Sequence, residues 1–396
     1  VYSVELVPVS KLACGDVDLE RFLKIVREIL SRGGVTTTVA VDPKTGAVVY
    51  GLELCAALAK LGTRYVPVSY GRVEEVFVPL EALGFFDEVR PSTYRVFLSS
   101  EELLYRNWPT PLVRLSRASV GGRVVWAKLE GYNPWSMSVK DRIGWYMYRK
   151  ALERLGRVER LVEATSTNTG LAIAAVSNIY GSRLKAYIPS TVSRTGEFLL
   201  KLFGAEVVRS QRAMLTVELI DEVEEEARTS GAVHLNQFYN DANLEVHLRY
   251  TAKELELQLR EAGVVPKAII GGLGTSGHLS ALALYFKSRF RGVRVYGVVP
   301  RAGTSIQGIR RVESGMRWVR LVDLDGVVEV SPREAAEGVL RIVRSEGILV
   351  GLSSGAVYAA YRQLAEGGEL EEGDYVLVFP DHGFKYVEQL EKLLKL

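Results

Sequence analysis

One segment of the 396-residue chain delivers a single amine: Asn133-Pro134-Trp135-Ser136-Met137-Ser138-Val139-Lys140-Asp141-Arg142. A loop rich in Ser and Pro leads into helical periodicity from Arg142 to Leu155, so Lys140 stands in the first turn of a helix. A lysine there is ordinarily solvated. The same amine can also bond a carbonyl cofactor as a Schiff base, and the segment by itself allows both. A second segment, Gly271-Gly272-Leu273-Gly274-Thr275-Ser276-Gly277-His278, follows the strand-like run Lys267 to Ile270 and opens a helix. Glycines let backbone approach an anion and turn its N–H groups inward. The helix N-terminus adds partial positive charge, and Thr275 and Ser276 add hydroxyls. The segment reads as a phosphate cradle or as a plain βα turn. It is neither a Walker A loop nor a dinucleotide fingerprint, since no Gly-Lys-Ser/Thr closes it and no suitably spaced acidic residue follows.

Three further segments carry polar groups to the starts of helices or turns. Glu163-Ala164-Thr165-Ser166-Thr167-Asn168-Thr169-Gly170 crowds four hydroxyls and an amide together. One such residue caps a helix; five are a surplus, which suits a small carboxylate. Gly351-Leu352-Ser353-Ser354-Gly355-Ala356, after the run Ile348 to Val350, reads by itself as a βα loop with a serine cap. In Ser305-Ile306-Gln307-Gly308-Ile309-Arg310-Arg311 the adjacent arginines would point about 100° apart on a helix; that lets one face a site while the other is solvated, although two surface arginines are the default reading.

Alternating elements must position these segments. Short apolar runs at Arg123 to Lys128, Leu184 to Ile188, Glu206 to Arg209, Val233 to Asn236, Val293 to Val299 and Tyr375 to Phe379 read as buried parallel strands. Helical stretches lie between, among them Gly170 to Ile179, Leu215 to Arg228, Leu244 to Leu259 and His278 to Phe286. That alternation implies open α/β sheets covered on both faces, which bind ligands at the carboxyl ends of their strands. Residues 1–90 read as a small α+β unit of their own, with a strand at Val4 to Val9, a helix at Leu19 to Leu30, a strand at Val35 to Val41 and a helix at Leu52 to Leu61; residues 91–396 form the larger part.

Composition bounds the rest. Fifty Lys and Arg against 47 Asp and Glu leave a net charge of +3, which argues against a nucleic-acid binder or a polybasic membrane protein. No apolar run reaches the ~20 residues of a transmembrane helix, and Val1-Tyr2-Ser3-Val4-Glu5 lacks a signal-peptide pattern. A cytoplasmic location is the expectation. Cys14 and Cys55 offer neither a disulfide framework nor a Cys-rich zinc site, and the four histidines show no metal-binding spacing. Seven Asn and six Gln among many Arg, Lys and Glu lean toward a thermophile.

Taken in order, these segments resemble the fold-type II pyridoxal-phosphate enzymes, the family of cysteine synthase and cystathionine β-synthase. The resemblance starts at Thr110-Pro111-Leu112-Val113-Arg114-Leu115. It runs through Lys140, the Thr165–Gly170 loop, the glycine cradle and Gly351–Ala356 to the C-terminus. Asn236-Gln237-Phe238-Tyr239-Asn240-Asp241-Ala242-Asn243, Gly308 to Glu313 and Asp381-His382-Gly383-Phe384-Lys385-Tyr386 look like the archaeal O-phosphoserine sulfhydrylases within it.

The resemblance implies two open α/β subdomains with pyridoxal 5'-phosphate between them, in a homodimer. It implies that Lys140 holds the cofactor and is the catalytic base. Gly274, Thr275, Ser276, Gly277 and His278 would bind its phosphate, Asn168 would meet the ring hydroxyl, and Ser353 the ring nitrogen. A hydroxyl at that nitrogen does not hold it protonated as an aspartate would. Thr165, Ser166, Thr167 and Thr169 with Gln237 would hold the substrate carboxylate. Phe238 would lie beside the substrate, and Arg310 would pair with its phosphate. The cradle departs from the family pattern at Ser276 and His278, where many members carry Gly and Thr. The implied reaction makes L-cysteine from O-phosphoserine and sulfide. Rival readings are an O-acetylserine sulfhydrylase, a cystathionine β-synthase, a serine/threonine dehydratase, or a regulatory or nucleic-acid-binding protein that keeps the enzyme fold. The N-terminal unit faintly resembles a ParB/sulfiredoxin-like fold, through Val4 to Val9, Val41-Asp42 with Thr45 to Gly51, and Leu61-Gly62 with Val66 to Val68. Its Leu52-Glu53-Leu54-Cys55 lacks the His/Arg phosphate segment, so a packing, dimerising or gating role is expected.

Overall fold

The computed structural model describes residues 4–91 and 94–396; of the stretch Val1-Tyr2-Ser3-Val4-Glu5 read above, Val1 to Ser3 lie outside them. A six-stranded sheet runs in the order Gly326–Val330, Arg294–Pro300, Ala268–Gly272, Gly373–Phe379, Arg123–Leu129, Leu112–Val120. Neighbours are parallel except the last pair, which forms an antiparallel edge. The central strands are apolar along their whole length because helices cover both faces. Ile269, Val295 and Val376 point into one core, while Ile270, Val298 and Leu377 point into the other. A second sheet, Glu206–Arg209, Arg183–Ile188, Arg160–Ala164, Val233–His234, is parallel throughout. These are the two open α/β sheets that the resemblance implies. The Thr165–Thr169 loop, the glycine cradle and Asp381 all follow the carboxyl ends of strands.

The chain before residue 80 builds sheets of its own. Glu5–Pro8, Tyr65–Tyr70, Val39–Val41 and Val48–Tyr50 form one, and Gly34–Thr37 pairs with Glu75–Pro79 in another. The single strand expected over Val35 to Val41 is therefore two. Thr38 breaks it: its N–H donates to the Glu74 carbonyl at 3.0 Å, its hydroxyl accepts from the Glu74 N–H at 2.8 Å, and the chain crosses from one sheet to the other. The helix Leu19–Arg32 is capped by the Asp18 carboxylate and ends at Gly33, whose φ of 72° suits a residue without a side chain. Its apolar face, Phe22, Leu23, Val26, Ile29 and Leu30, joins the same core as Leu282, Tyr285 and Phe286 of the helix Gly277–Arg289. The buried Lys253 amine donates to the carbonyls of Leu61 and Phe85 and fixes the same junction.

Four local expectations are corrected. Cys14 and Cys55, too few for a framework, form one disulfide that ties the segment before Leu19–Arg32 to the helix Leu52–Lys60. Ile348 to Val350 is no strand; Val350 makes only an isolated bridge to His382. Ser305 to Arg311 is a loop, not a helix, tied at its ends by an Ile306–Ile309 bridge. The helix expected over Leu244 to Leu259 is Ala242–Val246, one π-helical turn at His247–Thr251, and Ala252–Ala262.

Candidate active site

The helix Lys140–Leu155 begins on the lysine itself. The buried Asp141 carboxylate accepts the N–H groups of Trp135 at 2.7 Å and Ser136 at 2.9 Å, together with the Ser136 hydroxyl, and so folds the Ser/Pro loop back over the helix start. Burial pushes that carboxyl up to about 6. From the other side, the Val139 N–H donates to the Pro380 carbonyl at 2.8 Å and the His382 N–H to the Met137 carbonyl at 3.1 Å. Two residues on, the Arg142 guanidinium lies over the Trp108 ring and bonds Glu130 and Glu254, both at 2.6 Å and all wholly buried. The lysine's backbone is thus anchored on every side, while its amine forms no ion pair among the described residues. Burial lowers that amine to about 8; Asp381 opposes the shift and Arg310 adds to it.

The cradle is shaped by what has no room for a side chain. A Cβ on Gly274 would lie 2.6 Å from the Gly308 carbonyl oxygen, and one on Gly272 2.6 Å from Ile309 Cγ2. Ser276 takes a left-handed φ of 74°. The Thr275 hydroxyl accepts from Asn243 Nδ2 at 2.9 Å, and the Ser276 hydroxyl accepts from the Val319 N–H at 3.2 Å. Among the described residues, the N–H groups of Gly274, Thr275, Ser276 and Gly277 meet no acceptor. His278 is buried against His247, its Nε2 has no partner, and burial lowers it to about 4, so it is a neutral imidazole.

The hydroxyl surplus of the Thr165 loop is partly spent within the protein. The Thr165 hydroxyl accepts from the Gly170 N–H at 2.9 Å, which is plain capping. Thr167 hydrogen-bonds the Ser166 carbonyl and accepts from Gln307 Nε2 at 3.4 Å. Thr169 donates to Gln237 Oε1 at 2.6 Å, and Gln237 Nε2 donates to the Ala164 carbonyl at 2.9 Å. Ser166 is the hydroxyl left without a side-chain bond among the described residues. Gln237 sits on a turn whose N–H groups, those of Asn236 and Gln237, donate to the buried Glu163 carboxylate at 3.0 and 3.1 Å. Asn243 Nδ2 also donates to the Gln237 carbonyl at 2.7 Å, which couples this turn to the cradle.

Arg310 closes the cleft. Its Nε donates to the Gly274 carbonyl at 3.3 Å, its Nη1 to the Leu215 carbonyl at 3.4 Å, and its plane lies 4.6 Å from the Phe238 ring centre. No carboxylate pairs with it among the described residues, and burial brings it down to about 10. Arg311 points away and pairs with Glu329 at 2.7 Å. One arginine turns inward and one outward, against the default of two surface arginines, and a loop rather than a helix sets them apart. Opposite, Ser353 opens the helix Leu352–Glu366 with its hydroxyl 3.4 Å from Asp381 Oδ1. Asn168 Nδ2 donates to Asp381 Oδ2 at 2.9 Å.

Hydrogen bonds thus join the Thr165 loop to Gln237 and Asp381, Gln237 through Asn243 to the cradle, and Arg310 to Gly274, while Arg311 faces away. The family described as pyridoxal-phosphate dependent enzyme matches residues 103–381. The chain belongs to that family. Cysteine synthase B of Escherichia coli strain K12 is 31% identical over 286 residues, covering 70% of this chain and 91% of that protein. A cysteine synthase of Staphylococcus aureus strain Mu50 is 32% identical over 292 residues, covering 70% and 92%. Among solved structures, an O-ureido-L-serine synthase aligns with a TM-score of 0.65 at 28% identity over 72% of this chain and 92% of its own. A hydrogen sulfide-producing enzyme from Fusobacterium nucleatum aligns at 0.66 and 27% identity, over 74% and 100%.

As a member of this family the chain calls for pyridoxal phosphate, and its residues fit that group. They supply an amine without an ion pair, a ring of N–H groups without acceptors, and two orphaned buried polar atoms, Asn168 Oδ1 and His278 Nε2. Asp381, Tyr386 and Asn243 stand in segments quoted above for their resemblance, with no role read for them there. Asp381 and Tyr386 sit just past the strand Gly373–Phe379, where the rule for open sheets points. Among the described residues, no helix is long and apolar enough to cross a membrane, and no group of three metal-ligating side chains occurs.

Proposed function

We propose that this chain is a cysteine-forming β-replacement enzyme that takes O-phospho-L-serine as donor and sulfide as nucleophile. The supporting observation is Arg310. A buried guanidinium with only carbonyls and an aromatic face around it is an unbalanced cation, and a phosphate ester is the leaving group that balances it through a two-pronged fork.

Lys140 would hold the cofactor, the N–H groups of Gly274 to Gly277 with His278 its phosphate, and Asn168 and Ser353 its ring. When bound, pyridoxal phosphate supplies the electron sink for a carbanion at Cα. The protein supplies the rest. Ser166 and the helix N-terminus at Asn168 receive the substrate carboxylate, with Thr167, Thr169 and Gln237 bracing that loop. Lys140, once released, removes the Cα proton as general base and later returns it. Arg310 steadies the phosphate as it leaves Cβ, and Phe238 keeps water from the guanidinium face.

Steady-state kinetics with sulfide against O-phosphoserine, O-acetylserine and serine test this. O-phosphoserine should give the highest kcat/KM. In Arg310→Ala it should fall by about 100-fold, the worth of a lost charged pair of roughly 3 kcal/mol, with O-acetylserine turnover nearly unchanged. Equal losses, or a preference for O-acetylserine in the native enzyme, would replace this donor with the acetyl ester.

A further inference from the structure

One buried amide joins the phosphate cradle to the loop that faces the substrate. Asn243, on the helix Ala242–Val246, is 1% exposed. Its Nδ2 lies 2.7 Å from the Gln237 carbonyl oxygen and 2.9 Å from the Thr275 hydroxyl. A carbonyl oxygen only accepts, so the nitrogen of the amide, and not its oxygen, must face that point. The other hydrogen on Nδ2 goes to Thr275, whose oxygen accepts it. The hydrogen that Thr275 itself carries meets no acceptor among the described residues, and is left for an anion in the cradle. Asn243 Oδ1 is buried without a partner, and a Cβ on Gly277 would lie 2.4 Å from it. Glycine at 277 is what admits the amide.

From Gln237 the connection runs on. Its Oε1 accepts the Thr169 hydroxyl at 2.6 Å and its Nε2 donates to the Ala164 carbonyl at 2.9 Å, so the side chain spans the Thr165 loop from end to end. All four distances are those of well-formed hydrogen bonds, and chains of such bonds between buried groups strengthen one another. We propose that Asn243 is a positioning residue that couples the two sites: a phosphate monoester in the cradle tightens binding of an amino-acid carboxylate at the Thr165 loop, and the carboxylate tightens the cradle by the same factor. An anion that takes the Thr275 hydrogen makes the Thr275 oxygen a better acceptor for Asn243, which then holds the Gln237 turn more firmly. The inference rests on the proposed roles of the cradle and of the Thr165 loop.

The test compares the full-length enzyme loaded with pyridoxal phosphate and with pyridoxal, which lacks the phosphate. L-serine is titrated into each, and the shift of the cofactor's absorption band gives its Kd. In the native enzyme the phosphate form should bind L-serine about fivefold more tightly, at the lower end of couplings between sites. In Asn243→Ala, which removes both donors, the two Kd values should agree. Thr275→Val keeps the bond from Asn243 to Gln237 and breaks only the link to the cradle; it should give the same result and covers the case in which Asn243→Ala does not fold. Equal Kd values in the native enzyme overturn the proposal, as does a preference for the phosphate form that persists in either variant. Borohydride fixation at Lys140 separates the two levels. No fixed adduct in the native enzyme defeats the cofactor reading itself, whereas an adduct with equal Kd values defeats only the role of Asn243.

Discussion

Lys140 shows how a residue type becomes chemistry only through its surroundings. An exposed lysine near pH 7 is neutral in under roughly one molecule in a thousand, whereas an amine at about 8 is neutral in roughly one in ten. Only the neutral amine attacks an aldehyde. The rate at which apoenzyme takes up pyridoxal phosphate should therefore climb about tenfold per pH unit and level off above pH 8, rather than climb on toward 10.5. Stopped-flow absorbance across pH 6 to 10 reads this directly. Arg310→Ala should leave the profile's shape unchanged and move its midpoint upward, since the guanidinium is one of the groups lowering the amine.

At the scale of elements, the site is made by strand ends and by glycines that admit one loop against another. Gly274 and Gly308 meet where a methyl group has no space. Gly274→Ala should strain the cradle by about 2 kcal/mol, or about 30-fold in the Kd for pyridoxal phosphate, read by fluorescence titration while circular dichroism stays native. These elements were legible in the sequence for a plain reason. Parallel strands buried on both faces are apolar throughout, and the loops after them carry whatever polar groups the chain concentrates. What was not legible depends on pairing across long separations. Glu163 reads only as the head of the hydroxyl-rich segment, yet its carboxylate holds the turn of Asn236 and Gln237 that starts 73 residues later. Asp381 stands in a segment quoted for its resemblance alone, and its partner appears only when Asn168, 213 residues earlier, reaches it. The run Ile348 to Val350 has strand composition but no neighbour to pair with beyond His382. Arg310 and Arg311 diverge because they follow a loop closed by the Ile306–Ile309 bridge, which helical geometry does not describe.

For the whole molecule, the N-terminal unit is bound to the catalytic half by shared core and a buried amine, and braced within itself by the disulfide. The cross-link spans 41 residues, for which loop closure gives about 4 kcal/mol as an upper figure. Cys14→Ser with Cys55→Ser should lower the melting midpoint by several degrees and leave kcat/KM at moderate temperature unchanged, as differential scanning calorimetry and the sulfide assay would show. A disulfide in a chain poor in Asn and Gln agrees with the thermophilic lean of its composition.

The helix Gly277–Arg289 starts at the glycine cradle, while its flank rests on Leu19–Arg32. A shortened chain beginning at residue 103, where the family match starts, would keep every side chain named in the chemistry and still leave that flank wet. Such a fragment should clump when expressed alone and regain solubility when residues 1–102 are supplied as a separate polypeptide. The leading segment, whatever else it does, is the backing of the helix that the glycine cradle opens.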